Sequence, residues 1–178
     1  LTMDADHAVT ATFGRPFHTT AYGVDQGHPQ ASDDNPGTED LPWLTVSHAA
    51  DVLQAGETVY VRSGTYDERV NVESPGTSSG FINFVGYPDD ARPVIRGFDV
   101  VGASYVRIIG FEITHVSLDH NHGIFIGGES DHIEVLDNYI HDVQGHAVRW
   151  YNHLNTYVTV RGNEMVMAGC PRVAGSCE

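Results

Sequence analysis

Apolar and polar residues alternate in three segments of the second half of the chain, which begin at Val106, Ile133 and Val158. In each segment the first and third residues are apolar and the second is polar, and this two-residue period predicts a strand with one buried face. The segments begin 27 and then 25 residues apart, which is typical of a coil of stacked strands. We therefore expect Val106, Ile133 and Val158 to form one interior column. A second column is expected two positions later, from Ile108, Val135 and Val160.

Asparagine occupies the same place in the second and third segments, where each strand gives way to a corner. Asn138 and Asn163 are equivalent in the repeat, and Phe111 takes that place in the first segment. A side-chain amide in a bend can hydrogen-bond backbone groups that no sheet ladder covers. We therefore interpret the two asparagines as structural residues and expect an asparagine ladder that begins only at the second turn.

Less regular patterns precede the repeats. Apolar residues lie near helical spacing before Gly56 and predict a short amphipathic helix over residues 44–53. The apolar positions of this helix are Leu44, Ala49, Val52 and Leu53. Brief apolar runs bounded by turn residues then predict four strands. These strands are Thr58–Val61, Val70–Val72, Phe81–Val85 and Val94–Ile95.

Three short motifs follow one another around this helix. They are Gly37-Thr38 with Pro42, then Ala55-Gly56-Glu57-Thr58-Val59-Tyr60-Val61, then Gly64-Thr65-Tyr66-Asp67-Glu68. The order resembles the opening of bacterial right-handed parallel β-helix proteins of the pectate-lyase superfamily, in which a loop and a helix cap the open end of the coil. The resemblance implies an all-β fold, a right-handed single-stranded parallel β-helix (a solenoid) with a short N-terminal capping helix. It implies less about activity, because this fold hosts lyases, hydrolases, epimerases and non-catalytic binders.

On this interpretation the chain has three parts. Residues 44–178 form the β-helix, and we expect the coil to be truncated at its C-terminal end because nothing there resembles a second cap. Residues 14–43 form a linker and capping loop, since residues 14–40 are rich in Gly, Pro, Asp and His and lack periodicity. Residues 1–13 contain a Met-Asp-x-Asp turn before a V-T-A-x-F strand. They resemble the closing strand of a divergent internalin-type B-repeat, which implies an upstream β-repeat module on an exported polypeptide.

Charge and composition narrow the classes of partner. The net charge is −15, from 24 acidic and 9 basic residues, so we expect neither nucleic acid nor an anionic membrane surface as a partner. No apolar stretch approaches the ~20 residues that cross a bilayer, so no membrane insertion is predicted. Cys170 and Cys177 lie in a tail of Gly, Pro and Ser, which favours a local disulfide over free thiols and a secreted or cell-surface location.

The candidate site consists of polar and aromatic residues between the repeated strands. His122 and His146 are 24 residues apart and each precedes a further short strand, so we expect these two residues to be neighbours on stacked turns. The candidate catalytic residues are His146, Asp142, Arg149, Asp119 and His122. The candidate substrate-binding residues are His120, His141, Trp150, Tyr151 and His153. Aromatic faces in such a groove stack on sugar rings, and polar side chains bind the hydroxyls.

These residues favour an extracellular polysaccharide-acting protein that is lyase-like and cleaves a uronate-containing glycan by β-elimination. All nine basic residues are Arg, so the base must be His, whose pKa lies near neutrality, or an unusual Arg. Calcium would offset the repulsion between an acidic protein and an acidic glycan. The oxygen ligands available for calcium are Asp33, Asp34, Glu39 and Asp40, although the same residues are typical of an ordinary turn loop.

Two alternatives remain open from the sequence. A glycoside hydrolase needs two carboxyl groups roughly 5 to 10 Å apart, and Asp119 and Asp142 are the candidate pair. A non-catalytic β-helix that binds carbohydrate or mediates surface adhesion also fits, and the B-repeat resemblance at residues 1–13 favours it.

Overall fold

The computed structural model of the protein describes residues 21–115, 122–151 and 157–166. Within these ranges the chain forms thirteen strands and one helix. The first elements are β1 (Ala21–Val24), α1 (Val46–Val52), β2 (Thr58–Val61), β3 (Thr65–Val72), β4 (Ile82–Gly86) and β5 (Val94–Val101). The repeated region contains β6 (Val106–Ile109), β7 (Glu112–Ile113), β8 (Ile124–Gly127), β9 (Ile133–Leu136), β10 (Tyr139–His141), β11 (Val148–Tyr151), β12 (Val158–Arg161) and β13 (Glu164–Val166).

The strands wind into a parallel β-helix. One sheet has the order β1-β2-β4-β6-β9-β12 and the other the order β11-β8-β5-β7-β10-β13, with β3 paired to β5. All pairs between these strands are parallel. The turns that begin with β6 and β9 each add one strand to the first sheet and two short strands to the second, and the last described turn adds β12 and β13. Consecutive turns therefore stack on one another. The predicted all-β solenoid is confirmed.

The register of the first sheet confirms that the predicted columns stack, although Val160, on the last described turn, is 38% exposed. Ile133 pairs with both Val106 and Val158, and Val135 pairs with Ile108 and Val160. The inward side chains of β6 and β9 are fully buried. Three phenylalanines fill the interior between the sheets, with ring centroids 5.7 Å and 5.1 Å apart along the series Phe84, Phe98, Phe111. This continuous apolar column is the main source of stability in the coil.

The asparagine ladder is also confirmed. Asn138 is 0% exposed; its Oδ1 accepts from the Phe111 amide at 2.9 Å, and its Nδ2 donates to the Ile108 carbonyl at 3.0 Å. Asn163 Oδ1 accepts from both the backbone amide and Nδ2 of Asn138, at 2.9 and 3.0 Å. Asn163 Nδ2 donates to the Val135 carbonyl at 2.8 Å. The first turn takes part through the backbone of Phe111, so the ladder begins at the second turn as expected.

A stack of aromatic rings, which the repeat pattern does not predict, lies just before the strands of the first sheet. Tyr105, His132 and Tyr157 occupy equivalent places, and all three have left-handed φ angles of 57°, 51° and 58°. Their rings stack with centroid distances of 4.4 Å and 4.7 Å. The stacking helps to stabilise a backbone conformation that is unfavourable for residues with a Cβ.

Helix α1 covers the start of the coil and packs against β3. Its N-terminus is capped from another part of the chain, because the Glu68 carboxylate accepts from the amides of Val46 and Ser47 at 3.1 and 2.8 Å. No helix formed by the described residues is long and apolar enough to cross a membrane.

The buried face of α1 differs in part from the predicted one. Val46, Ala49 and Ala50 are buried, whereas Leu44 and Val52 are 41% and 40% exposed. The Asp33 carboxylate accepts from the amides of Leu44 and Thr45, at 2.9 Å each. These bonds hold Leu44 in the capping loop, so the helix begins later than predicted and turns other residues inward.

Strand β1 lies in the segment that the sequence analysis predicts as loop. It pairs with β2 from Ala21 to Val24, and Val24 is fully buried. The loop prediction is wrong for these four residues, because a strand of four with a central glycine shows no detectable alternation. Next to it, Trp43 stacks on Tyr22 with centroids 4.7 Å apart and donates from Nε1 to the Asn35 carbonyl at 2.8 Å.

Candidate functional site

The candidate residues lie on the outward face of the second sheet. In the register of β5, β8 and β11, Asp99 pairs with Phe125 and Phe125 pairs with Arg149. The residues just before them in each strand, Phe98 and Ile124, are fully buried. Because successive side chains of a strand point to opposite faces, Asp99, Phe125 and Arg149 form an outward column on three adjacent turns.

His122 and His146 are neighbours, as predicted. Their ring centroids are 5.1 Å apart, and the His146 amide donates to His122 Nδ1 at 3.2 Å. The two positions stack because the strands that follow them, β8 and β11, pair from Ile124 and Val148 onward. His122 is only 8% exposed, whereas His146 is exposed to solvent.

Arg149 brings a positive charge to this histidine pair. Its Nη1 lies 2.8 Å from His122 Nε2, and its guanidinium carbon lies 5.6 Å from the centroid of the Tyr151 ring. Trp150 and Tyr151 are 57% and 67% exposed. The structure therefore brings together the predicted residues His122, His146 and Arg149, and Tyr151 follows Arg149 by two residues on the same face. Trp150 pairs with the fully buried Ile126, so it belongs to the inward side of the last described turn and not to this face.

An ion pair that the sequence analysis does not identify lies beside the histidines. Arg69 donates from Nε and Nη2 to the two carboxylate oxygens of Asp99 at 2.7 and 2.5 Å. Arg69 Nη1 also donates to the His122 carbonyl at 2.8 Å, and His115 Nε2 lies 3.0 Å from the same oxygen. Arg69, which is itself held by Asp99, and His115 thus fix the carbonyl of His122.

The surroundings of His122 favour its neutral form. Burial lowers the pKa of His122, and the positive charge of Arg149 lowers it further, with smaller effects from His146 and Arg69. Asp99 acts in the opposite direction, and the resulting pKa is about 4, against an ordinary value of 6.5. His122 is therefore an uncharged imidazole at neutral pH.

This shift gives His122 a defined effect on stability. The unfolded chain binds the proton at a higher pH than the folded protein, so the unfolding free energy falls as the pH drops from about 6.5 to about 4. In His122→Gln this contribution is absent. We therefore expect the unfolding free energy of the original protein to fall by up to about 3 kcal/mol more over that window than the unfolding free energy of the variant. Chemical denaturation of both proteins across the window measures the difference, because all other titrating groups are shared. Identical pH dependence would contradict the assignment.

His141 forms a second cluster, with Asp142 and Glu112. Its Nδ1 lies 2.8 Å from Asp142 Oδ2, and its Nε2 lies 3.1 Å from Glu112 Oε1. Burial acts to lower the pKa of His141, but the hydrogen bonds and negative charges of Asp142 and Glu112 outweigh it, so the pKa is raised. The stabilisation from this cluster is therefore present below the ordinary histidine pKa and is lost as the pH rises through the folded value.

Glu112 belongs to this cluster although it is not among the predicted site residues. It pairs with Tyr139 in the register of β7 and β10, and His141 follows two residues later on the same face. The two-residue spacing of Tyr139 and His141 was the available signal, since alternate residues of a strand share a side. The Tyr139 and His141 rings stack with centroids 4.4 Å apart.

The acidic residues proposed for calcium are divided between two places. The carboxylate of Asp33 accepts from the Thr45 hydroxyl at 2.9 Å in addition to its two backbone bonds. Glu39 and Asp40 line a surface pocket that also includes Asp25, His28 and Arg62, and neither Asp33 nor Asp34 lines it. Among the described residues, no group of three or more His, Cys, Asp or Glu side chains is placed to hold a metal ion. Calcium binding by Asp33, Asp34, Glu39 and Asp40 stays a prediction.

Several predicted residues lie outside the part of the chain that the structure describes. These are Asp119, His120 and His153 of the candidate site, Cys170 and Cys177, and the B-repeat resemblance at residues 1–13.

The fold and the site together define a parallel β-helix with histidine and arginine side chains on an outward sheet face. Residues 26–166 match the family described as Pel9A-like, right handed beta helix region. The chain belongs to this family, which confirms the predicted handedness and the resemblance to pectate-lyase-type β-helices.

Two relatives match shorter parts of the chain. The uncharacterized protein YwoF of Bacillus subtilis is 33% identical over 132 residues, which are 65% of this chain and 28% of YwoF. Pectate lyase PEL9 of Emericella nidulans is 42% identical over 53 residues, which are 29% of this chain and 13% of PEL9. The chain thus spans less than a third of either relative.

Solved structures share the fold at low sequence identity. A GH136 lacto-N-biosidase from Eubacterium ramulus superposes with a TM-score of 0.68 and 17% identity, over 84% of this chain and 34% of the enzyme. A rhamnogalacturonan lyase superposes with a TM-score of 0.59 and 18% identity, over 83% of this chain and 50% of the lyase. These likenesses concern the fold alone.

Proposed function

We propose that this chain is part of a carbohydrate-acting protein that binds a uronate-containing polysaccharide outside the cell and cleaves it by β-elimination. The observation that carries the proposal is the joint placement of His146, the neutral His122 and Arg149 beside exposed Tyr151, which follows Arg149 by two residues on the same face. A site of this kind combines a base, a positive charge and aromatic surface. The family to which the chain belongs, and the name of its relative pectate lyase PEL9, support the same class of substrate.

β-Elimination requires a base beside a neutralised carboxylate. The base removes the proton at C5 of the uronate, the C4–oxygen bond breaks, a C4–C5 double bond forms, and the leaving oxygen takes up a proton. We assign the base to His146, whose ring is exposed and whose backbone is fixed by the neighbouring turn. Arg149 supplies the positive charge that the carboxylate needs, because its guanidinium is always protonated.

Turnover of defined polysaccharides tests the proposal. The protein is incubated with pectate, alginate and a neutral glycan, and both the absorbance of unsaturated uronate and the number of reducing ends are followed. We expect the absorbance to rise with a uronate glycan only, and to rise at least 100-fold more slowly in His146→Ala. His48→Ala is the matched control, because His48 lies on α1 against Trp43, and its rate should equal that of the original protein.

Three outcomes would contradict this function. Reducing ends that increase without unsaturated product would show hydrolysis, and retention on an insoluble glycan without turnover would show a binding module. A rate that is unchanged in His146→Ala would remove the assigned base.

Hydrolysis is the second candidate, and the cluster around His141 favours it. Glu112 and Asp142 contact opposite nitrogens of one imidazole, so their carboxyl groups are separated by less than about 10 Å, within the range that glycoside hydrolysis uses. Under this alternative, Asp142→Asn should abolish the increase in reducing ends, whereas His146→Ala should leave it unchanged.

A further inference from the structure

Two hydrogen-bond donors contact the imidazole of His122, but a neutral imidazole has only one acceptor nitrogen. The His146 amide points at Nδ1 from 3.2 Å, and Arg149 Nη1 lies 2.8 Å from Nε2. A neutral imidazole bears hydrogen on one nitrogen and a lone pair on the other, and a guanidinium group has donors only. One of the two contacts therefore brings two N–H groups face to face.

The backbone decides which nitrogen is the acceptor. The main chain just after the His146 amide is held against the neighbouring turn, because the Gly123 amide donates to the His146 carbonyl at 3.0 Å and the Ile124 amide donates to the Ala147 carbonyl at 2.9 Å. The His122 carbonyl is held by Arg69 and His115. A main-chain amide next to these bonds has less freedom to turn than the Arg149 side chain, so we assign the lone pair to Nδ1 and the hydrogen to Nε2.

The contact with Arg149 is consequently a pair of donors, and no acceptor from the described residues lies between them. Protonation of His122 would not relieve it, since the imidazolium has donors on both nitrogens, and burial together with nearby positive charge keeps His122 neutral. An oxygen that accepts from both Nε2–H and Nη1–H would relieve it. Arg149 is only half-buried, so such an oxygen can reach it from solvent.

We propose that His122 Nε2–H and Arg149 form a two-donor site for a carboxylate, the carboxylate of a uronate residue, and this rests on the proposed function. The charges support this carboxylate site. Arg69 is already paired with Asp99 by two short bonds, so Arg149 is the positive group that faces His122 Nε2. A carboxylate accepts from two donors at once and gains charge-assisted hydrogen bonds. Exposed Tyr151, two residues after Arg149 on the same face, offers a ring face to the attached sugar.

The same argument changes the role of His122. Its lone pair is occupied by the His146 amide, so His122 cannot accept a proton from substrate, and it acts as a binding residue. This separates it from His146, which remains the assigned base.

The experiment measures binding without turnover. The intact chain, labelled with ¹⁵N, is titrated with galacturonate trisaccharide and with the neutral galactose trisaccharide, and the imidazole and guanidinium resonances are followed by NMR. We expect His122 to show the Nε2–H tautomer before ligand is added, and the uronate to shift its Nε2 and the Arg149 resonances. The neutral sugar should bind at least tenfold more weakly.

Variants separate the site from general effects. Arg149→Gln and His122→Phe should each weaken uronate binding at least tenfold, while His122→Gln, which keeps a side-chain N–H donor, should stay within about threefold. Arg107→Gln is the matched control, because Arg107 pairs with Glu134 on the other sheet, and its affinity should not change. Thermal unfolding of each variant verifies that it is folded.

The outcomes distinguish this inference from the proposed function. An Nδ1–H tautomer, equal binding of the neutral sugar, or unchanged affinity in Arg149→Gln would overturn the carboxylate site even if the protein cleaves pectate. Specific uronate binding without unsaturated product would uphold the site and overturn the lyase.

Discussion

Replacing Gly97 by alanine is expected to destabilise the protein by about 4 kcal/mol, the sum of an overpacking cost and a conformational cost. Gly97 lies in β5 with φ of 150°, a conformation that residues with a Cβ rarely adopt. A Cβ there would overlap the Gly123 carbonyl oxygen and lie 2.6 Å from Arg69 Nη1. The carbonyl belongs to the next turn and accepts from the Phe98 amide at 3.2 Å, so relief requires the two turns to separate.

Gly102→Ala is the matched control for this prediction. Gly102 also has a left-handed φ, of 72°, but nothing lies within 4 Å of a Cβ placed there. Gly102→Ala should lower the unfolding free energy by only about 1 kcal/mol, from backbone strain alone. Urea unfolding of both variants measures the two costs, and equal costs would show that the contact at Gly97 does not restrict the coil.

Replacing Asn138 by alanine is expected to cost about 3 to 5 kcal/mol. The change leaves the Phe111 amide and the Ile108 carbonyl without their side-chain partner in an interior that water does not reach. Each buried polar group without a partner costs about 1 to 3 kcal/mol. It also removes one of the donors to Asn163 Oδ1, which weakens the contact with the following turn.

Asn71→Ala provides the comparison, since Asn71 is an exposed asparagine on the outward face of β3. Its effect on the unfolding free energy should remain within about 0.5 kcal/mol. The measurement is again urea unfolding at fixed pH. A loss below about 1 kcal/mol for Asn138→Ala would mean that solvent or backbone rearrangement satisfies the freed groups, and the ladder would not be a major stabilising element.

The repeated part of the fold was predictable because two independent patterns agree there. The alternation at Val106, Ile133 and Val158 fixes which face is inward, and the spacing of Asn138 and Asn163 fixes which residues stack. A shift of one residue would turn every apolar side chain outward. The structure therefore has the predicted register, and the proximity of His122 and His146 follows from it.

The ion pair between Arg69 and Asp99 was not predictable in the same way. Strand β3 belongs to the irregular part of the coil, and its register with β5 shifts between Tyr66 and Arg69. Residue spacing alone cannot place a partner across such a shift. Alternation predicts that a charged side chain in a strand points outward, but the choice of Asp99 as partner depends on the shifted register.

The cluster of Glu112, His141 and Asp142 shows a different limit. Glu112 and Tyr139 are correctly placed in one column by the repeat, but the reach of the His141 ring toward two carboxylates depends on side-chain conformation. Asp142 adopts a left-handed φ of 53°, and although aspartate enters this region more often than most residues, its identity alone does not predict it. The period of the repeat predicts which residues stack on adjacent turns, whereas the contacts of their side chains depend on local backbone and side-chain angles.

Arg69 has a consequence for the motions of the coil. Stacked repeats usually fray from their ends, one unit at a time, since each touches only its neighbours. Arg69 lies on one turn, forms an ion pair with Asp99 on the second and donates to the His122 carbonyl on the third. Local unfolding of any of these turns therefore breaks contacts with the other two. The backbone of His122 therefore keeps its position when the ends of the solenoid unfold locally.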